Sequence, residues 1–577
     1  MKRLLSVVLF AMLVGSVSAS SSGGVMYLHD PDDTLVWGPL VCHSDMCQQV
    51  QHLVLPRLFS YQDSGINDVS LSTGQDTVLA SQVDYGADGR TITLTLRDDL
   101  VWEDGTPVTA YDAFYTFLTF RHDVNGFGNS TAFLPLDEKT LLIERNTPVC
   151  SLYTVQMTIL PAHALQADFV AQAATFGFTA DQDPSDQLNA WLAAHPWNAQ
   201  AVAQNPYHIT MPITLKDRDM AQVSPGDFLR VQLGQGDDSM GLHIYSNLPT
   251  ASSIDYFLAG QLDALRNIPI NRWADIVNAP DVKFLRVPTG EKASLIFNFT
   301  DPTRPQPYQD QFGNLLEQKP HPILSDLAVR QAIAAAIDID ELIKVGLNGF
   351  GITTHELFDS NTDLTTPDIS RFDVALAERL LTEAGWVRAA VGRDQVRQCQ
   401  DCTTASNGTA LNLNIISDST YETQAMMVTL KRQLERVGFS ITVNAYGEDV
   451  NMALRSQSFD LAFVKRHESN VSVAQDFMTQ NDGGENVSSY SNPDLDALLS
   501  RVDDPTAAHA CDSTQVHDLY AEVEQEIASD LPQLMLFAYE DPLAIRDWVL
   551  TNTDFEYLMA PLLHIYQWQV YYGPEDE

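Results

Sequence analysis

Basic residues are scarce in this 577-residue chain: 33 Lys and Arg stand against 76 Asp and Glu, a formal charge of −43. An acidic surface of that size repels phosphate backbones and anionic lipid, which excludes a general nucleic-acid binder. Catalytic signatures are also missing. There is no GxxxxGK[ST], no GxSxG and no HExxH; His355-Glu356 and His467-Glu468 both lack the second histidine that a zinc protease needs. Asp338 and Asp340 sit without the glycine and terminal glutamate of a calcium loop, so they read as residues that cap and solubilise the end of a helix. No cofactor is implied, and an enzyme has no positive support. Cysteine is sparse at six residues, and long apolar runs are absent after the first few residues.

The start of the chain sets the compartment. Lys2 and Arg3 precede an apolar run from Leu4 to Val14 and the small-residue site Val17-Ser18-Ala19. This is the pattern of a cleaved secretory signal over residues 1–19, with a run too short to span a bilayer. Its removal takes the charge to −45 and predicts a soluble, exported product. In an oxidising compartment the cysteines read as disulfides. Cys42 and Cys47 are close enough to close a short loop, as are Cys399 and Cys402, which leaves Cys150 and Cys511 to link distant segments. The connectivity stays open, and the Cys399-Gln-Asp-Cys402 pair also has the form of a redox motif or half a zinc site.

Local patterns alternate between strand and helix. Ile92, Leu94 and Leu96 interleave with Thr91, Thr93 and Thr95, the period of a half-buried strand. Thr109 before Ala110-Tyr111-Asp112 reads as an N-cap with an acid in the first turn. Residues 226–300 predict separate strands at DFLRVQLG, KFLRVP and SLIFNFT, with a helix over SSIDYFLAGQLDALR. One helix is expected over LSDLAVRQAIAAAIDIDELIKVGL, another ends at Gly385, and Gly438 separates a helix from a strand. FDLAFV reads as a short buried strand. The mixture without a fixed period indicates an α/β protein, and its length predicts two or more lobes built from discontinuous segments.

Val101–Phe117 carries the most specific pattern. Leu96-Arg97-Asp98 precedes Trp102, and Asp104-Gly105-Thr106-Pro107-Val108-Thr109 runs unbroken before Asp112. This closely resembles the signature of the bacterial extracellular solute-binding family 5, the oligopeptide-, dipeptide- and nickel-binding proteins of ABC importers. Leu327–Ile343, Phe372–Trp386 and Glu485–Leu499 resemble further family segments, through Val329, Arg330, Gln331, Ala332 and Asp338 in the first of them. The resemblance implies a two-lobed, type II-like periplasmic clamp with an extra small domain. Residues 20–75, 206–298 and 541–577 would form the first lobe, 76–205 the small domain and 299–540 the second lobe. It further implies a monomer that takes a peptide or other small solute and meets a membrane-embedded permease. An oligosaccharide, an anionic solute or a nickel chelate are the alternatives, and His43, His52 and His467 leave nickel open.

The sequence departs from the family just after Phe459–Val464. There the family commonly places a tryptophan and an aspartate facing the cleft, and in peptide binders the acid receives the α-amino group. Here Lys465-Arg466-His467-Glu468-Ser469 follows. Arg466 falls near the tryptophan's place and Ser469 near the acid's, with Glu468 one position early. Either this trio is a surface patch paired with the chain's own acids, or Arg466 and His467 meet a ligand carboxylate, which a guanidinium matches bidentately.

Overall fold

The computed structural model describes residues 25–29, 55–58, 60–61, 69–70, 78–86, 89–121, 130–145, 158–197, 220–223, 229–233, 240–245, 248–266, 268, 272–303, 319–355, 357, 372–388, 396–447, 450–467, 476–479, 486–502, 513–551 and 568–570. The signal segment 1–19, Cys42, Cys47, Cys150, Cys511 and Glu468 lie outside them.

Two long antiparallel strands, Val282–Phe297 and Gln533–Arg546, form the spine. Their pairing runs from Val282 opposite Arg546 to Ile296 opposite Gln533, broken by irregularities between Pro288 and Lys292 and between Ala293 and Ser294. KFLRVP and SLIFNFT, expected as separate strands, are therefore one strand bent in the middle. A bulge lets a single strand turn there without losing its ladder.

The spine carries a different set of neighbours at each end. On the Gln533–Arg546 side, Ala264–Leu265, Val25–His29 and Met240–Tyr245 follow in order, parallel to one another. On the Val282–Phe297 side, Leu461–His467, Asn412–Asp418 and Ser440–Tyr446 follow; Leu461–His467 and Ser440–Tyr446 both run parallel to Asn412–Asp418. The apolar residues divide accordingly. One core joins the four-stranded antiparallel sheet of residues 80–145 and helix Ala110–Phe120 to Val287, Leu543 and Ile545 of the spine. Ala544, one residue out of phase, faces another core with Ile254, Phe257 and Leu265. At the far end Ala293, Leu295 and Phe297 are buried under helices Leu327–Ala336, Ile339–Leu347, Val374–Glu383 and Tyr421–Arg436. The result is an α/β protein of two lobes sharing two strands.

Asp338 corrects the expectation of one helix ended by this residue. Its side chain accepts from the Glu341 N–H at 3.1 Å and so begins a second helix after Ala336. The helix expected over Ser252–Arg266 stops at Leu258, because Gly260 turns the chain with φ +73° and Ala264–Leu265 joins the sheet. Gly438 has φ +108°, and a Cβ there would lie 2.6 Å from Arg397 Cγ, so the helix stop at this point requires glycine. Cys399 and Cys402 are disulfide-bonded with Cα atoms 5.6 Å apart, beside the buried Trp386.

Candidate functional site

In each lobe the parallel strands point their carboxyl ends at the middle of the spine. From Ala264 to Leu265 the partners run from Ile545 to Ala544, and His29 and Tyr245 end alongside. From Leu461 to His467 the partners run from Phe297 to Glu291; Asn412–Asp418 ends beside this strand and Tyr446 beside Asp418. Backbone ends and loops at carboxyl edges are where open α/β sheets take ligands. Here two such edges meet at Val287–Lys292 and Ala538–Asp541.

The strand Leu461–His467 is anchored at its start. Asp460 accepts from the Asn414 N–H at 2.5 Å and from His321 Nε2 at 2.8 Å. His321 is 1% exposed, and its Nδ1 accepts from the Ile323 and Leu324 N–H groups, which leaves the ring proton on Nε2. Leu461, Ala462, Phe463 and Val464 are buried, after which Lys465 and Arg466 extend beyond Asp418 toward the bulge. Strand alternation turns the two cations to opposite faces. Lys465 Nζ lies 2.5 Å from Glu291 Oε2 and 4.7 Å from the centre of the Tyr539 ring. Arg466 Nη1 donates to Asp476 Oδ2 at 2.9 Å, with the carboxylate largely buried. His467 pairs through its backbone with Glu291, which places it at the bulge. Each of the two described cations of the trio is thus matched by an acid of the same chain.

Several groups at this crossing carry no motif in the sequence. Lys292 is 4% exposed, stands opposite Arg466 in the ladder, and donates to the Leu357 carbonyl at 3.1 Å. Arg286 pairs with the buried Glu540 and donates to the Gly349 and Gly351 carbonyls at 3.0 and 3.2 Å. Arg266 pairs with Asp541 at 2.9 Å. Burial first, then the charges of Asp418, Glu291 and Glu422, pushes the Tyr539 phenol above its ordinary value. Glu291, Glu540 and Tyr539 escape sequence reading because each lies in a strand whose partners are more than one hundred and fifty residues away.

A cluster of three or more His, Cys, Asp or Glu able to hold a metal is absent among the described residues. Among them, too, no helix is long and apolar enough to cross a membrane.

Two lobes, two shared strands and facing carboxyl edges define a binding protein of the two-lobed periplasmic class. Residues 76–201 and 244–489 match the family described as bacterial extracellular solute-binding proteins, family 5 Middle. The chain belongs to that family, whose members are the solute-binding proteins of ABC importers. Solved structures agree on the fold at low identity. The oligopeptide-binding protein AppA of Bacillus subtilis, in complex with a nonapeptide, is 14% identical, with 96% of this chain and 99% of that one covered at TM-score 0.54. The murein tripeptide-binding protein MppA in its unliganded open form is 16% identical, with coverage of 95% and 97% and TM-score 0.65. NikZ of Campylobacter jejuni, in complex with Ni(L-His), is 15% identical, with coverage of 95% and 99% and TM-score 0.56.

Proposed function

We propose that this chain is an exported receptor that holds a peptide or peptide-like solute between two closing lobes and presents it to a membrane-embedded permease. The observation that carries the reading is the convergence of both sets of carboxyl strand ends on one shared pair of strands. In this reading residues 1–19 are removed on export to the periplasm. Residues 20–75, 206–298 and 541–577 make one lobe, 299–540 the other, and 76–205 a small domain attached to the first. Closure bends the spine at Pro288–Lys292, where its ladder is already irregular. The nonapeptide and murein tripeptide of two structural neighbours support a peptide, while Ni(L-His) in a third supports a small chelate as the second choice.

Arg466 and His467 stand at the edge that a ligand would meet, and Arg466 is a quarter exposed beside Asp476. A ligand carboxylate reaching Arg466 would share it with Asp476. Native mass spectrometry of the protein as purified tests the assignment. A retained mass in the range of a short peptide is expected; a sugar or a metal chelate would replace the peptide as ligand. Incubation with a peptide mixture should give saturable thermal stabilisation and no cleavage products. Turnover of any peptide would refute a receptor.

A further inference from the structure

The carboxyl edge of the second lobe already holds a cation, and it is the protein's own. Lys465 Nζ rests between the carboxylate of Glu291, 2.5 Å away, and the face of Tyr539, 4.7 Å from its centre. A carboxylate on one side and an aromatic face on the other is the pairing that recognises an ammonium group. The parts come from three strands. Glu291 sits at the bulge of one shared strand, Tyr539 on the other, and the lysine on their neighbour. The ring is fixed: Tyr539 is 8% exposed and packs edge-on against Phe537 at 5.1 Å. The lysine is not. Its side chain is 41% exposed and that of Glu291 33%, and a half-exposed pair of this kind is a weak lock.

A neighbouring pair shows what a permanent version looks like. Arg286 also has a carboxylate, Glu540, and an aromatic face, Phe350 at 5.4 Å. The Glu540 side chain is only 1% exposed, and two backbone carbonyls hold the guanidinium as well. Arg286 is itself 36% exposed, so what fixes it is the buried acid and the two carbonyls, whereas Lys465 has only an acid that is a third exposed.

The geometry points to Glu291 and Tyr539 as an ammonium-binding niche that Lys465 keeps filled, so that Lys465 selects against solutes presenting a free ammonium here. The selection rests on the reading of this crossing as the ligand cleft; the niche does not. An incoming ammonium must displace Lys465 and leave its charge unpaired. An acylated or acidic end leaves the lysine in place, and an acidic end gains a cation. The favoured solute is therefore peptide-like with a blocked or acidic end at this position.

The test uses the full chain and two kinds of probe. Lys465→Ala should bind n-butylammonium chloride saturably by calorimetry, against potassium chloride at equal ionic strength. Wild type, Lys465→Arg and the double variant Glu291→Gln/Lys465→Ala should bind it about tenfold more weakly. Circular dichroism and melting temperature establish that each variant is folded; if Lys465→Ala does not fold, Lys465→Gln takes its place. Wild type should prefer N-acetyl-trialanine over trialanine by about tenfold, and the alanine variant should lose or reverse that preference. Equal uptake of n-butylammonium by wild type and Lys465→Ala overturns the niche. Equal affinity of wild type for the two tripeptides overturns the selection. Uptake of n-butylammonium by Lys465→Ala with neither tripeptide bound by any form upholds the niche and refutes the peptide ligand.

Discussion

The turn and helix at Val101–Phe120 and the strand end at Lys465–His467 are the two places where the sequence speaks most distinctly, and the structure uses them in opposite ways. In the first, polar groups are buried and satisfied by backbone donors. Gly105 turns the chain at φ +86°, Trp102 is fully buried, and Asp112 accepts from the Thr109 N–H at 2.8 Å and the Ala162 N–H at 2.8 Å. In the second, the cations pair side chain to side chain, Lys465 with Glu291 of another strand and Arg466 with Asp476 ten residues on, and stay partly exposed. The family signature thus marks a buried scaffold, and the departure from the family leaves cations partly exposed at the edge proposed to meet the solute.

The contrast breaks most readily at Trp102. Trp102→Ala empties a fully buried indole site and should lower unfolding free energy by about 3–5 kcal/mol in urea titration. A loss below about 1 kcal/mol would mean the signature region is not the rigid partner in the comparison. Next is Asp112. Burial pushes its carboxyl up to about 6, against the hydrogen bonds from Thr109 and Ala162 that pull it down. A folded value above the unfolded one near 3.8 contributes stability that is complete below pH 3.8 and is lost as pH rises through about 6. Across that window the loss is up to roughly 3 kcal/mol. A carbon-13 carboxyl titration reads the midpoint directly; a value at or below 4 would show that the backbone donors outweigh burial.

Smaller effects belong to the crossing. Phe350 packs edge-on against Trp273 and at a tilt against Phe284, with centroids at 5.2 and 5.7 Å, and so ties the chain after helix Ile339–Leu347 to the spine strand Val282–Phe297. Phe350→Ala should cost about 1–2 kcal/mol and broaden the distribution of lobe separations in small-angle scattering. An unchanged scattering profile would leave the shared strands as the sole restraint. Least costly to folding is Arg466→Ala, below about 1 kcal/mol because the pair with Asp476 is partly exposed. The same variant should weaken binding of an anionic solute, and an unchanged titration would remove Arg466 from the site.

Legibility follows the range of the interactions. Thr109 as a cap, Gly385 and Gly438 as helix stops, and Thr91–Leu96 as a half-buried strand depend on neighbours within a few residues, and all are found as expected. Asp338 reads as an ending in the sequence and is a beginning, since a cap between two helices looks alike from either side in one dimension. In sequence Pro288, Thr289 and Gly290 split Val282–Phe297 into two strand patterns, whereas pairing to Gln533–Arg546 on both sides of them holds it as one.

What the sequence determined alone is the class of chain: acidic, α/β, and carrying the family's motifs in order, because composition, periodicity and caps are local properties. The partners of Lys465 and Arg466 were left to tertiary structure. Glu291 and Tyr539 come beside Lys465 only when three strands align at a bulge, and Asp476 lies against Arg466. A charge's partner is set by distance in space, and the choice between an open cation and a filled niche is made there.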